Sequence, residues 1–339
     1  MVSQFAAHSG VARSILVTLL RAVPAALTTL PVEQKNMSYK TTNQAKANFD
    51  DVYTAPTPHA YMAAMAEHGY EIGERARPYN AAAAALLREQ NGGARPVQML
   101  DVGCSYGVGS ALIKYGYSFD EIIRFYASAP TGYEAASKAT QRWLDTSRTA
   151  NVRVVGLDSS RAAIRFAVNA GLLDGGIACN FEQPDVAPAS EEINFFRSTN
   201  LLSSTGALGY ITERTLGVVL RHLGEDRPDE FGPYSVMTIL RMFEAGSIRR
   251  VFEKHGYVFG AVPDVRLAQR RFSDADERNN VRRVLHERGL DTREWEDRGK
   301  QYADLFIAAP PGQFERLLKR MKDTRANFER EPVALMTEA

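Results

Sequence analysis

The sequence predicts an α/β fold: a doubly wound, mostly parallel sheet covered by helices. Three observations carry this. From residue 97 onward, short apolar runs alternate with segments of helical pattern. The run at 152–157 is apolar almost without a break, as expected of a strand buried on both faces. A glycine-rich turn, Gly103 to Gly109, joins the first apolar run to a helical segment.

The elements follow in order. Residues 41–67 read as helical pieces broken by Pro56 and Pro58. Residues 71–89 read as a strong helix after Pro78, stopped at Asn91-Gly92-Gly93. Strands are expected at 97–102, 152–157, 176–180, 193–199 and 235–242. Two later strands, 258–262 and 303–308, are expected to form an antiparallel edge. Helices are expected at 107–114, 161–169, 213–223, 248–255 and 274–288, with a further pair within 119–148. The expected domains are therefore an N-terminal extension (1–36), a helical lid (37–95), the sheet domain (96–310) with a helical insertion (119–149), and a C-terminal helix and tail (311–339). Met37 reads as an alternative start.

Composition narrows the function. The 339 residues are 45% hydrophobic and 24% charged, enough for a sizeable core. Lys plus Arg total 41 against 40 for Asp plus Glu, a net charge of +1. Phosphate-backbone binding usually leaves a basic excess, so no nucleic-acid partner is expected. Two cysteines, Cys104 and Cys179, indicate no disulfide framework and suit a reducing compartment, so a cytoplasmic location is expected. The most apolar early stretch, 11–30, is interrupted by Arg13, Arg21 and Pro24, and no membrane span is expected. It fits a signal peptide poorly, because no Lys or Arg precedes it. The histidines show no metal-ligand spacing and no metal is expected. No nucleophile-elbow motif is present.

The glycine turn is the first chemical signal. Asp101 ends the first strand, and Gly103, Gly107 and Gly109 follow. Their spacing is not that of a dinucleotide fingerprint, and no phosphate-loop Gly-Lys-Ser/Thr occurs. An acid at that strand end would repel a pyrophosphate; it suits a cationic ligand bearing an amino group. Asp158 ends the second strand, where an acidic residue of a doubly wound sheet can reach ribose hydroxyls. Ser159 or Ser160 can cap the helix that follows.

The segment QMLDVGCSYGVG, 98–109, resembles motif I of the class I S-adenosylmethionine (SAM) methyltransferases, D-x-G-x-x-x-G after the first strand. The resemblance covers roughly 97–310 and implies a Rossmann-like domain with SAM as cofactor. It implies Asp101 beside the methionine amino group, and Gly103, Ser105 and Gly107 against the cofactor. It places Asp158 with Ser159 at the ribose, and Asn180 and Phe181 at the adenine, with Glu182 as another polar contact. One departure stands out. Asp158 follows Asp101 by 57 positions, where about twenty is usual. The excess is the helical insertion, expected either to cover the site or to make a subunit contact, as in a homodimer.

The loop after the fourth strand is expected to face the reacting carbon. Tyr210 and Asn200 there, and Tyr106 in the glycine turn, are the catalytic candidates, with Ser203 and Thr205 beside them. Arg241, Gln269 and Arg271 are candidates for holding a substrate carboxylate, since arginine binds carboxylates bidentately. Tyr61, with Tyr53, His59 and Tyr70, could line a lid. The expected activity is SN2 methyl transfer from SAM to a small-molecule acceptor. Two alternatives stand beside it. The segments STGALGYITER (204–214) and QRRF (269–272) resemble, faintly, the SAM-consuming cyclases that form azetidine-2-carboxylate and release methylthioadenosine. The other is a non-catalytic SAM-binding protein. No acidic-Pro-Pro-aromatic tetrapeptide follows the fourth strand; Thr199-Asn-Leu-Leu202 stands there instead.

Overall fold

The computed structural model describes residues 50–93, 95–144, 151–228 and 230–330. The chain divides into two units, Met1–Asn36 and Met37–Ala339. The expected extension, the alternative start at Met37, the first part of the lid, the end of the insertion and the C-terminal tail lie outside the described residues.

Seven strands form one mixed sheet: β1 (Val97–Val102), β2 (Val152–Asp158), β3 (Gly175–Ala178), β4 (Leu201–Ser204), β5 (Tyr234–Leu240), β6 (Val258–Arg271) and β7 (Lys300–Ala309). Their order is β3-β2-β1-β4-β5-β7-β6. The first five are parallel, and β7 runs antiparallel between β5 and β6. The chain moves outward from β1 to β3, then returns to β4 on the other side of β1. That reversal is the topological switch point at which open α/β sheets bind ligands. Asp101 of β1 is in register with Ser203 of β4, so the two side chains share one face of the sheet.

The helices are α1 (Asp50–Thr54), α2 (His59–Glu67), α3 (Ile72–Gln90), α4 (Val108–Tyr115), α5 (Phe119–Ser128), α6 (Tyr133–Leu144), α7 (Arg161–Asn169), α8 (Ser190–Ser198), α9 (Glu213–Leu220), α10 (Gly246–Lys254), α11 (Ala275–Glu287) and α12 (Phe314–Arg330). Within the segment expected as a lid, α3 buries Ile72, Ala76, Tyr79, Ala83 and Leu87 and packs on β1, β4, β5 and β6. Pro78 lies inside α3 rather than before it. It leaves the Glu74 carbonyl without its helical donor. The inserted α5 and α6 pack respectively against α2 and α7. Trp143 of α6 stacks between Tyr117 and Phe125, at centroid distances of 3.9 and 4.5 Å. The Ser118–Glu121 capping box starts α5.

Two expectations fail. Residues 193–199 are not a strand: they belong to α8, and β4 begins only at Leu201. The run Ser190-Glu191-Glu192 places acids in a first helical turn, and Glu192 accepts the Ala189 backbone N–H at 2.7 Å. Phe196 is then the buried side chain of an amphipathic helix, not of a strand. The second failure is the length of β6, which continues beyond residue 262 to Arg271. Its register with β7 shifts between Ala261 and Arg266, and Asp264 there has φ 59°. This bulge lets one strand turn past Pro263 without ending.

Candidate active site

A cavity of about 710 Å³ opens at the carboxyl ends of β1, β2 and β4. Its floor is the glycine turn. Gly103 has φ +78°, and a Cβ there would stand 2.3 Å from the Ala207 Cβ. Only glycine lets the turn and the β4 loop approach this closely. Ser105 has φ 49° and its hydroxyl is buried without a partner.

The two strand-end acids are held differently. Asp158 accepts the backbone N–H of Ser105 at 2.9 Å on one oxygen and that of Ser160 at 2.8 Å on the other. It thereby ties the glycine turn to the start of α7. Burial pushes its pKa up, opposed by the backbone N–H groups of Ser160, Ser105 and Ser159. Asp101 accepts the Ser110 hydroxyl at 2.6 Å on Oδ2. Burial raises its pKa to about 6, opposed by the Ser110 bond and reinforced by the charge of Asp158. Among the described residues its other oxygen has no hydrogen-bond partner, and Asp101 lines the cavity.

The roof comes from the first three helices: Tyr53 and Thr54, Tyr61, and Gly73 and Asn80, with Tyr70 between α2 and α3. Burial keeps the Tyr61 and Tyr70 phenols protonated well above neutral pH. Tyr53 and Tyr61 meet at 5.5 Å between ring centroids. The insertion holds this roof in place: His59 of α2 lies 3.2 Å from the Ala129 carbonyl, just past α5.

No protein-family model matches the chain, and no curated protein does. Among solved structures, it is similar to a SAM-dependent methyltransferase from Geobacter sulfurreducens in complex with S-adenosyl-L-homocysteine. Identity is 12% over 74% of this chain and 97% of that one, with a TM-score of 0.33. A SAM-dependent methyltransferase from Thiobacillus denitrificans, with the same ligand, gives 13% identity, 78% and 99% coverage, and a TM-score of 0.33. Magnesium protoporphyrin IX methyltransferase from Synechocystis PCC 6803 gives 10% identity, 78% and 89% coverage, and a TM-score of 0.31.

The cavity gathers many of the residues singled out in the sequence: Asp101, Gly103, Ser105, Asp158, Ser159, Asn180, Phe181, Tyr61, Ser203, Thr205 and Tyr210. Asn180 Oδ1 accepts the Glu182 backbone N–H at 3.1 Å. Glu182 is itself engaged, accepting from the Thr212 and Thr215 hydroxyls at 2.6 and 2.5 Å and so fixing the start of α9. Tyr210 is 51% exposed at the mouth.

Other expected site residues lie elsewhere. Asn200 precedes β4 instead of following it, at the end of the strand away from the cavity. Its amide accepts from the Gln98 N–H at 3.0 Å and donates to Glu230 at 3.1 Å. Tyr106 is fully buried outside the cavity lining, and its hydroxyl donates to the Val52 and Ala55 carbonyls at 3.1 and 2.7 Å. Gly107 takes the left-handed cap position of α4, where a Cβ would stand 2.9 Å from Leu173. Arg241 is paired with Glu296 at 2.5 Å, the two side chains 3% and 1% exposed. Arg271 donates to the Glu67 carbonyl beyond the turn of Gly69. Gln269 is buried in β6 with its Oε1 unpartnered, and its backbone carbonyl accepts the Glu71 N–H at 2.7 Å.

Sequence reasoning passed over Asn80. An asparagine within an alanine-rich helix is unfavourable, because its amide competes for backbone partners. That mismatch was the available signal. The Asn80 Nδ2 donates to the Ala76 carbonyl at 3.3 Å, and its Oδ1 is buried without a partner beside the cavity.

Proposed function

We propose that the chain is a SAM-dependent methyltransferase acting on a small-molecule acceptor. One observation carries the reading. Two carboxylates, Asp101 and Asp158, end neighbouring strands over one cavity, with the Gly103 turn between them. Among the described residues, Lys, Arg and His do not line that cavity, whereas Asp101, Asp158 and Glu182 do. A pyrophosphate would find no counter-charge there. A nucleoside carrying both a sulfonium and an ammonium fits it.

The cofactor, when bound, supplies an electrophilic methyl group on sulfur. The chain's own part is binding and alignment. Asp158 faces a ribose diol with its carboxylate, and Phe181 and Asn180 offer a ring and an amide to the base. Asp101 faces the amino-acid end. Ser203, Thr205 and Tyr210 lie on the β4 side of the cavity, where an acceptor would meet the methyl carbon. Such positioning carries much of the rate of an SN2 methyl transfer. A cavity of about 710 Å³ suits a nucleoside cofactor with a small acceptor.

The test is calorimetry with SAM, followed by mass spectrometry of the adenosyl products. SAM binding is expected, with Asp101→Ala and Asp158→Ala each weakening it about tenfold, or about 1.4 kcal/mol. S-adenosylhomocysteine formed only when a small-molecule extract is added supports the methyltransferase. Methylthioadenosine released from SAM alone would replace it with the cyclase reading. Failure of the wild type to bind SAM overturns both.

A further inference from the structure

We propose that Asn80, together with Ser203, recognises the α-ammonium group of the cofactor from the opposite side to Asp101. This rests on the SAM reading above and deepens it. Asn80 is 1% exposed, yet its Oδ1 has no partner and the residue lines the cavity. The direction of the amide follows from its neighbour. Nδ2 donates to the Ala76 carbonyl, and a flipped amide would set two oxygens against each other. The unpartnered atom of this cavity-lining residue is therefore an acceptor, which calls for a donor on the ligand.

The neighbourhood says which donor. Asp101 and Ser203 are in register on adjacent parallel strands, so both side chains rise from the same face of the sheet. Helix α3 lies across β1 and β4 and brings Asn80 over that face. Asp101 keeps one carboxylate oxygen without a partner, and the Ser203 hydroxyl has no partner among the described residues. An ammonium has three N–H donors, and the residues carrying three acceptor oxygens, a carboxylate, an amide and a hydroxyl, line the one cavity. A hydroxyl or a single amide N–H on the ligand would leave two of them unmet. Gly73, also on α3, lines the same cavity, and a Cβ there would stand 3.3 Å from the Leu112 Cδ1.

The experiment compares S-adenosylhomocysteine with its analogue lacking the α-amino group, by calorimetry on the full chain. Neither ligand turns over, so affinity alone is read. The wild type is expected to prefer S-adenosylhomocysteine by at least tenfold. Asn80→Leu, close in volume and without the oxygen, is expected to lose about tenfold for S-adenosylhomocysteine and to bind the deaminated analogue as the wild type does. Asn80→Ala removes the same oxygen without adding bulk and should show the same selective loss, should the leucine variant fail to fold. Equal affinity of the wild type for the two ligands overturns the proposal. So does a loss in the variants that is equal for both ligands, which would mean a structural role for Asn80. If the wild type binds neither, the SAM reading itself falls, a distinct result.

Discussion

At the scale of single residues, Asp101 shows how one position serves two opposed demands. Burial favours its neutral form and lifts its pKa from 3.8 to about 6, whereas a cationic ligand needs it charged. The sign of the pH dependence follows. In the ligand-free protein the folded state holds this proton more tightly than the unfolded chain, so this residue's contribution to stability falls as pH rises from about 4 to about 6. Cofactor affinity has the opposite slope. It is expected to be constant above about pH 7 and to fall by up to tenfold per unit below pH 6. Calorimetric titrations between pH 5 and pH 8 would check this, and Asp101→Asn should flatten the profile. Asp158 differs because backbone N–H groups, those of Ser105 and Ser160 among them, already commit it to shaping the turn. Both acids were visible in the sequence because a strand end names its own place in the fold. Asn80 was not, since nothing local says which face of α3 meets the sheet.

At the scale of elements, the misplaced fourth strand explains the misplaced asparagine. Reading 193–199 as β4 puts Asn200 just past a strand's carboxyl end; once the strand is Leu201–Ser204, Asn200 sits before it. A short apolar run such as Ile193-Asn-Phe-Phe196 fits either state, and the preceding Ser-Glu-Glu decides for helix. The arginines near the antiparallel edge have a similar history. Arg270 makes a bidentate pair with Glu277 at 2.9 and 2.6 Å. Burial would raise the Glu277 pKa, but the Arg270 and Ser273 hydrogen bonds bring it down to about 2. Arg241 holds Glu296 and the Asp291 carbonyl, joining β5 to the segment before β7. Removing one member of such a buried pair strands the other charge. Arg241→Met is therefore expected to cost about 3 kcal/mol in chemical denaturation. Its affinity for S-adenosylhomocysteine should remain within about twofold of the wild type, because Arg241 does not line the cavity.

At the scale of the whole molecule, the cavity is assembled from parts far apart in the chain: the first three helices, the glycine turn, the ends of β2 and β3, and the β4 loop. A ligand touching all of them binds the folded state alone and must stabilise it. S-adenosylhomocysteine at a hundredfold over its Kd is expected to add about 2.7 kcal/mol, or roughly 5 °C in Tm. Thermal melts with and without the ligand would show it, and an unchanged Tm would count against the proposed cofactor. Among the described residues no helix is long and apolar enough to cross a membrane. The sequence alone determined the α/β class, the antiparallel edge, the glycine turn and the two strand-end acids. Each is written in local periodicity, or in a residue type at a fixed offset from a strand. Only the tertiary structure decided which side chains meet across the cavity. It withdrew Asn200, Tyr106, Arg241 and Arg271 into packing, hydrogen bonds and ion pairs, and it brought Asn80 into the cavity lining with Asp101 and Ser203. The physical reason is that helix rotation and strand register are set by long-range packing, which no local window contains.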